Sequence, residues 1–462
     1  MFPEVSFPGL YEALGLRERE KRKIEITRNR PDANEVGFAI LGGGNFGVGM
    51  GNVLSKNVIG RRATNAKIDV YFNPHFDNEA RHAQAQAKVH RFNQDRVSDA
   101  VKGVSMHRGL QATLSLPEAI RGKSHLLVAV PSAALSGFLD DFAVMLSEAI
   151  QKGDVRPNVA LTSLIKGLPD VDIGLEGTVF PADVIEARLK QAGVRVGGSD
   201  GVQVMCCHGF GYGTNIAAGS PYSLAVGTDA QAPRQYAYEL YRALVKAKSL
   251  ITVEDGLRPV IEFGAVAKNF VAFLTNFVVG YAGKQHGSTY QEASMHCYAN
   301  GIEEMHAYCS KVLGYDHKPL KEIEPLSRDA FMTTFGAQIS PSADKPQVSR
   351  NAHFGVVLPK HLSVADALAE VETQRGSEVT VEGLSIVPGL YANLSRKGLT
   401  NEFPLITLFF HSLALRQREM LQKNPEFQKL NDDMLKELIE NIDMRLYQAA
   451  ISGERITTLR ML

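Results

Sequence analysis

The stretch "AILGGGNFGVGMGNVLS", residues 39–55, decides how the chain must be read. Its glycines stand as G-x-G-x-x-G at Gly42, Gly44 and Gly47, after the apolar run "VGFAIL" (36–41) and before a helix-sized stretch. In a strand–turn–helix unit each of these glycines has its own task. The first permits the bend, the second lets the backbone approach a pyrophosphate, and the third lets the helix pack close on the strand. The amides and positive end of the new helix then attract the phosphates. With 41 glycines in the chain, chance matches are common, so the context carries the reading. A strand precedes the turn, a helix follows it, and a second strand ends near residue 72. Gly49 and Gly51 cost the helix about 1 kcal/mol each and are expected where packing or a ligand comes close.

Working outward, strand-sized apolar runs recur: "KIDVYF" (67–72), "SHLLVAV" (124–130), "NVALTSLI" (158–165), "VQVMCC" (202–207) and "YSLAVGT" (222–228). Helical stretches separate them, the pattern of a parallel sheet with crossover helices. Beyond about residue 255 this pattern stops. Segments such as "ASMHCYANGIEEMHAYCSKVLG", "SVADALAEVETQ" and "FQKLNDDMLKELIENIDMRLYQAA" show helical periodicity, and "FGAQISPSADKPQVSR" (335–350) reads as a loop. The expected organisation is an N-terminal arm over 1–35, a doubly wound α/β dinucleotide-binding domain over 36–254, and an all-α domain over 255–462.

The totals exclude several classes. Of 462 residues, 44% are hydrophobic and 22% charged, and Lys+Arg and Asp+Glu are both 50. That balance gives no global field to gather nucleic acid or an anionic membrane. The four cysteines, Cys206, Cys207, Cys297 and Cys309, form no zinc-ligand spacing. His208 beside the first pair invites a metal reading, but a histidine and thiols in a buried strand is the better one. We expect a reducing compartment and no metal. The N-terminus lacks the features of a secretory or transit sequence. No uncharged apolar run reaches ~18 residues. A cytoplasmic protein without a membrane span is expected.

One residue resists a purely structural reading. In "VIEFGAVAKNFVAFLTNFVVGYAG" (260–283), Lys268 has Gly264, Ala265, Val271 and Ala272 as its helical neighbours. An unpaired ammonium on such a face is costly to bury.

Several segments together resemble the NAD(P)-dependent glycerol-3-phosphate dehydrogenase family, over roughly residues 36–412. They are "GGGNFG" (42–47), "VPSAAL" (130–135), "SLIKG" (163–167), "GTNIA" (213–217), "EFGAVAKN" (262–269), "GIEEM" (301–305), "DAFMT" (329–333), "SRNAHFG" (349–355) and "TVEG" (380–383). The resemblance implies a Rossmann-like domain followed by a helical domain, an architecture like that of 6-phosphogluconate dehydrogenase. It implies NAD or NADP as cofactor, a small phosphorylated substrate and a homodimer. Lys268 would be the catalytic lysine, with Lys166 and Asp329 supporting it. An ammonium there can stabilise and protonate the oxyanion left by hydride transfer to a ketone, and desolvation lowers its pKa toward the working range. Gly42, Gly43, Gly44, Asn45, Phe46, Gly47 and Ala217 would hold the cofactor. Lys166 would touch substrate and the nicotinamide end, at the carboxyl end of a strand where ligands bind in such sheets. Arg350 and Asn351 would take the phosphate, for which a guanidinium fork is suited, and Arg350 would also meet the cofactor. Asn215 and Thr333 would contact substrate, Thr333 sharing a helix face with Asp329. Glu382 would meet the cofactor near the adenosine. After the second strand, Asn73 and His75 leave the choice between NAD and NADP open, and Asp77 comes late.

The sequence also departs from the pattern. Asn300 stands where the family usually has arginine, and "GSTYQEASMHCYA" matches poorly. Another small phosphorylated alcohol or hydroxy acid as substrate, or a non-catalytic nucleotide-binding scaffold, are the alternative readings.

Overall fold

The computed structural model describes residues 36–62, 68–75, 77–169, 179–210, 213–229, 234–245, 250–286, 291–313, 349–376, 379, 381–417 and 430–453. Elements are numbered along these residues. The N-terminal arm, Asp329, Thr333 and most of the 335–350 loop lie outside them.

Eight strands form one sheet: β1 (Phe38–Leu41), β2 (Ile68–Tyr71), β3 (Leu110–Thr113), β4 (His125–Val128), β5 (Ala160–Ser163), β6 (Gln203–Phe210), β7 (Ser223–Thr228) and β8 (Leu250–Asp255). Their spatial order is β3-β2-β1-β4-β5-β6-β7-β8, and every pairing is parallel except β6 with β7. The strand order reverses between β1 and β4, so the crevice at their carboxyl ends is the switch point where open α/β sheets bind ligands.

Six strands coincide with the apolar runs of the sequence; β3 and β8 do not. β3 is four residues long and alternates buried with half-buried positions, Leu110 and Ala112 inward, so it offers only two apolar side chains. β8 lies at the sheet edge and carries Thr252, Glu254 and Asp255 among its six residues.

The central strands are covered on both faces, which is why their runs are apolar throughout. In β1, Phe38 and Ile40 pack with Val48, Val53 and Leu54 of α1 (Asn45–Arg62) and with Leu240 of α7 (Arg234–Leu244). The alternate residues Ala39 and Leu41 face Leu139, Phe142 and Leu146 of α4 (Leu135–Gln151) and Ile185 of α5 (Pro181–Gln191). α2 (Glu79–Gln94), α3 (Leu116–Ile120) and α6 (Gly213–Ala218) complete this part.

The remainder is helical: α8 (Arg258–His286), α9 (Gln291–Lys311), α10 (Arg350–Val357), α11 (Val364–Arg375), α12 (Gly383–Arg396), α13 (Pro404–Arg416) and α14 (Asp432–Ser452). α8 packs against α9, α10, α12 and α14 and also on β6 and β7. Over Arg258–Gln285 it is long and apolar enough to cross a membrane, with mean hydropathy 1.4, but 94% of that window is buried within the protein. Its apolar surface is that of a core helix, with Phe270, Phe273 and Phe277 around Phe409 of α13.

Two buried ionic sites fix the helices. At the start of α8, the Arg258 guanidinium reaches Asp183 (3.2 Å), Glu186 (3.3 Å), Asp229 (2.9 Å) and Glu262 (3.7 Å), tying α8 to α5 and to the end of β7. Arg416 pairs with Asp443 at 2.5 Å and docks α14 on α13.

Candidate active site

The glycine turn begins directly after β1. Gly42 has φ +131°, a left-handed-side conformation in which a side chain is strained, and a Cβ there would meet the Ala129 carbonyl oxygen at 2.6 Å. A Cβ on Gly47 would come 2.3 Å from the Gly42 oxygen and 3.1 Å from Ile40, the close helix–strand contact expected of the third glycine. A Cβ on Gly44 would have no described protein atom within 4 Å. The middle glycine therefore keeps a space clear beside the N-terminal amides of α1. That geometry fits the phosphates of a dinucleotide. Gly49 lets α6 come down onto α1, its Cβ position lying 2.3 Å from the Gly213 oxygen. The turn is tied to α6 by Asn45, whose amide donates to Thr214 Oγ1 at 2.8 Å.

α6 carries Asn215, which is exposed, and Ala217, which is buried. The carbonyl of Ala217 accepts from Asn52 Nδ2 (3.1 Å) and Lys56 Nζ (3.0 Å) of α1. After β2, the exposed Asn73 side chain accepts from the His75 amide at 3.1 Å and holds His75 at φ +51°.

Lys166 and Lys268 come from opposite parts of the chain. Lys166 follows β5 by three residues, and its Nζ lies 3.9 Å from the centre of the Phe46 ring in the glycine turn. An ammonium over an aromatic face is attracted by the ring quadrupole, which is how the turn holds this lysine. Lys268 is 9% exposed, in the middle of α8. Burial pushes its pKa well down; the Lys166 ammonium lowers it further, and Glu382 opposes both. Burial lowers Lys166 too, against the pull of Glu382 and Cys207 and with the push of Arg350. The two ammonium groups oppose each other's charge, so the pair loses its first proton more readily than a lone buried lysine without that neighbour.

Asn269, next to Lys268 in sequence, connects this pair to the rest. Its amide donates to the Lys166 carbonyl at 3.2 Å and to Glu382 Oε2 at 2.6 Å. Glu382, just before α12, also faces Arg350 Nη2 at 3.6 Å, so it sits among the cations of this centre. Arg350 is half exposed at the start of α10. Asn351 is buried, and its side-chain oxygen accepts from the Gly383 amide at 3.0 Å, fastening α10 to α12. The described charges here are three cations, Lys166, Lys268 and Arg350, around one carboxylate. Such a cluster attracts a small anion.

Two further residues of the quoted segments have structural tasks. Glu304 in "GIEEM" is buried and accepts from the Leu405 (3.0 Å) and Ile406 (2.8 Å) amides, capping α13 from another helix. Burial pushes its carboxyl up to about 8 in spite of those two bonds. Asn300, in the position where an arginine was expected, donates to the Ala450 carbonyl at 2.8 Å and holds α14.

Comparison with known proteins bears on the fold and on what the chain resembles. The family described as NAD-dependent glycerol-3-phosphate dehydrogenase N-terminus matches residues 37–200. Glycerol-3-phosphate dehydrogenase [NAD(P)+] of Halorhodospira halophila is 25% identical over 402 residues, spanning 84% of this chain and 97% of that one. Among solved structures, the glycerol-3-phosphate dehydrogenase of Plasmodium falciparum superposes with a TM-score of 0.61 at 17% identity, covering 81% of this chain and 90% of that one. The enzyme of Saccharomyces cerevisiae does so with a TM-score of 0.60 at 16% identity, covering 88% and 99%. These structures share the fold, a sheet domain followed by a helical one. Over most of its length the chain is similar to NAD(P)-dependent glycerol-3-phosphate dehydrogenases, and its residues 37–200 match the family's N-terminal part.

Proposed function

We propose that this protein interconverts dihydroxyacetone phosphate and sn-glycerol 3-phosphate by hydride transfer with NAD or NADP. The observation that carries the reading is the meeting of Lys166 and Lys268, from separate parts of the chain, around Glu382 and beside the glycine turn. The amides at the start of α1 and the space beside Gly44 receive the cofactor phosphates. A bound nicotinamide supplies the hydride in one direction and accepts it in the other.

The remaining work falls to side chains. Lys268, protonated, gives its proton to the substrate oxygen as negative charge develops there, and takes it back in the reverse direction. Lys166, charged, stabilises the same oxygen electrostatically. Asn269 and Glu382 hold the two lysines and Arg350 in register. Arg350 turns from Glu382 to the substrate phosphate, with Asn351 beside it. Asp329 and Thr333 orient Lys268 and the substrate hydroxyls, as the family resemblance implies. Asn215 contacts substrate, Ala217 lines the cofactor side, and the enzyme works as a cytoplasmic homodimer.

The experiment is to mix purified protein with dihydroxyacetone phosphate and NADH or NADPH. Oxidation of the reduced cofactor is expected with one or both. No turnover at high enzyme concentration would overturn the reading.

A second substrate, another small phosphorylated alcohol or its ketone, is favoured by one observation. Asn300 replaces the expected arginine and is committed to α14. Comparing dihydroxyacetone phosphate with a panel of other phosphorylated ketones separates the two readings, and unphosphorylated ketones should fail in both because Arg350 demands an anion.

A further inference from the structure

Lys166 is followed at once by two residues that touch different parts of the molecule. β5 ends at Ser163, and the Leu164 amide still donates to the Val128 carbonyl of β4 at 2.8 Å. Beyond that bond the chain leaves the sheet. Gly167 and Leu168 are both buried, and Leu168 lies in the core built by the helices, with Phe263, Ala267 and Leu390. The segment Lys166–Leu168 therefore spans the seam between the sheet and the helical core.

Each side of that seam has a glycine whose side-chain space is already taken by a neighbour. A Cβ on Gly167 would stand 2.6 Å from Ser132 Oγ and 3.0 Å from Ser132 Cβ, in the 3-10 turn Ser132–Ala134 that follows β4. A Cβ on Gly389, inside α12, would stand 2.9 Å from Leu168 Cδ1 and 3.4 Å from Leu168 Cβ. Neither glycine is among those with positive φ, so the backbone does not demand glycine at either place. A helix interior in fact favours alanine over glycine by about 1 kcal/mol. What excludes a methyl group is Ser132 in one case and Leu168 in the other. An overfilled contact relaxes by shifting backbone, and here the backbone next in line is that of Lys166.

Lys166 is held at two further points. Its carbonyl accepts from Asn269 Nδ2 at 3.2 Å, which ties it to α8, and its Nζ rests 3.9 Å from the centre of the Phe46 ring. The two glycine contacts add the seat of the segment itself.

We propose that Ser132 and Gly389 are positioning residues for Lys166. Ser132 stops Gly167 on the sheet side, Gly389 leaves the room that Leu168 needs on the helical side, and the fit between them sets where the Lys166 ammonium stands over Phe46. This rests on the reading of Lys166 as the cation that stabilises the reacting oxygen. Both residues act through Lys166 rather than on the substrate, and an error of about 1 Å in its place is worth up to roughly a hundredfold in rate.

The test is a pair of double-mutant cycles. Gly167→Ala and Gly389→Ala should each lower kcat for ketone reduction roughly tenfold to a hundredfold. Adding Ser132→Gly to the first, or Leu168→Val to the second, removes the atom that the new methyl meets and should restore most of the loss, so the effects are not additive. A readout independent of turnover follows the Cε protons of Lys166 in 13C-lysine protein, assigned with Lys166→Met. The Phe46 ring current moves them upfield in the wild type. They should move back toward the position of a free lysine in each alanine variant and return upfield in each double variant. All rates are compared at a temperature where circular dichroism shows every variant folded. If the wild type reduces no ketone but the resonance moves and returns as described, the functional reading fails and the positioning role stands. If the alanine variants keep wild-type kcat and resonance, if kcat falls while the resonance stays, or if the second substitutions restore neither, the proposal is overturned.

Discussion

The side-chain amide of Asn269 donates to the carboxylate of Glu382 at 2.6 Å, across 113 positions of sequence. Through this bond and a second one to the Lys166 carbonyl, a single residue next to Lys268 aligns α8, the end of β5 and the start of α12. Asn269→Leu keeps much of the volume and removes both bonds. We expect kcat for ketone reduction to fall at least tenfold, by a misplacement of the order of 1 Å rather than by loss of a reacting group. Steady-state kinetics on the variant, with reduced-cofactor binding measured separately, check this; unchanged kcat would show that Asn269 is only a packing residue.

Lys268→Ala should lower kcat by roughly 10²–10⁴, the usual worth of a general acid, and leave cofactor binding within about threefold. Comparable loss of binding would mean that Lys268 serves the cofactor or the fold.

The direction of the pH dependence follows from the same residue. The folded site depresses its pKa, so the protonated donor is lost at lower pH than for a free lysine. Ketone reduction needs the ammonium and should decline as pH rises through that depressed value. Alcohol oxidation needs the amine and should rise over the same interval. Rate profiles in the two directions that ran parallel would argue against Lys268 as the exchanging group.

Two glycines of the turn should respond oppositely to alanine. Gly44→Ala meets no described protein atom, so stability should change by under about 1 kcal/mol while NAD(P)H affinity falls at least tenfold. Gly47→Ala drives a methyl into the Gly42 carbonyl and should destabilise the fold by about 1–3 kcal/mol. Calorimetric unfolding together with cofactor titration distinguishes the cases. Equal loss of stability in both variants would contradict the open space beside Gly44.

Glu304 gives a stability prediction of definite sign. Its carboxyl is raised in the folded state to about 8, from an ordinary value near 4.5. The folded protein then binds the proton more tightly than the unfolded chain between those values. Stability from this group is full below the unfolded pKa and is lost as pH rises toward 8. Glu304→Gln cannot titrate, so urea midpoints measured between pH 5 and 8 should fall less steeply than in the wild type. An identical slope would show that the two backbone amides keep the carboxylate charged.

Much of this protein is legible in its chain. The glycine turn, the apolar runs and the change of period near residue 255 specify an α/β sheet followed by helices, because both depend on local spacing and on which faces must be buried. Lys268 is conspicuous because a lysine between alanines and phenylalanines needs a reason. The short β3 and the edge strand β8 are not legible, since two inward side chains or an acidic edge give no local period. Nor could sequence say that Asn300 holds α14, that Glu304 caps a helix a hundred residues away, or that Glu382 accepts from Asn269. Those facts exist only once the helices have packed around α8. Spacing along a chain encodes local geometry, whereas the company a charge keeps is decided by segments that burial brings together.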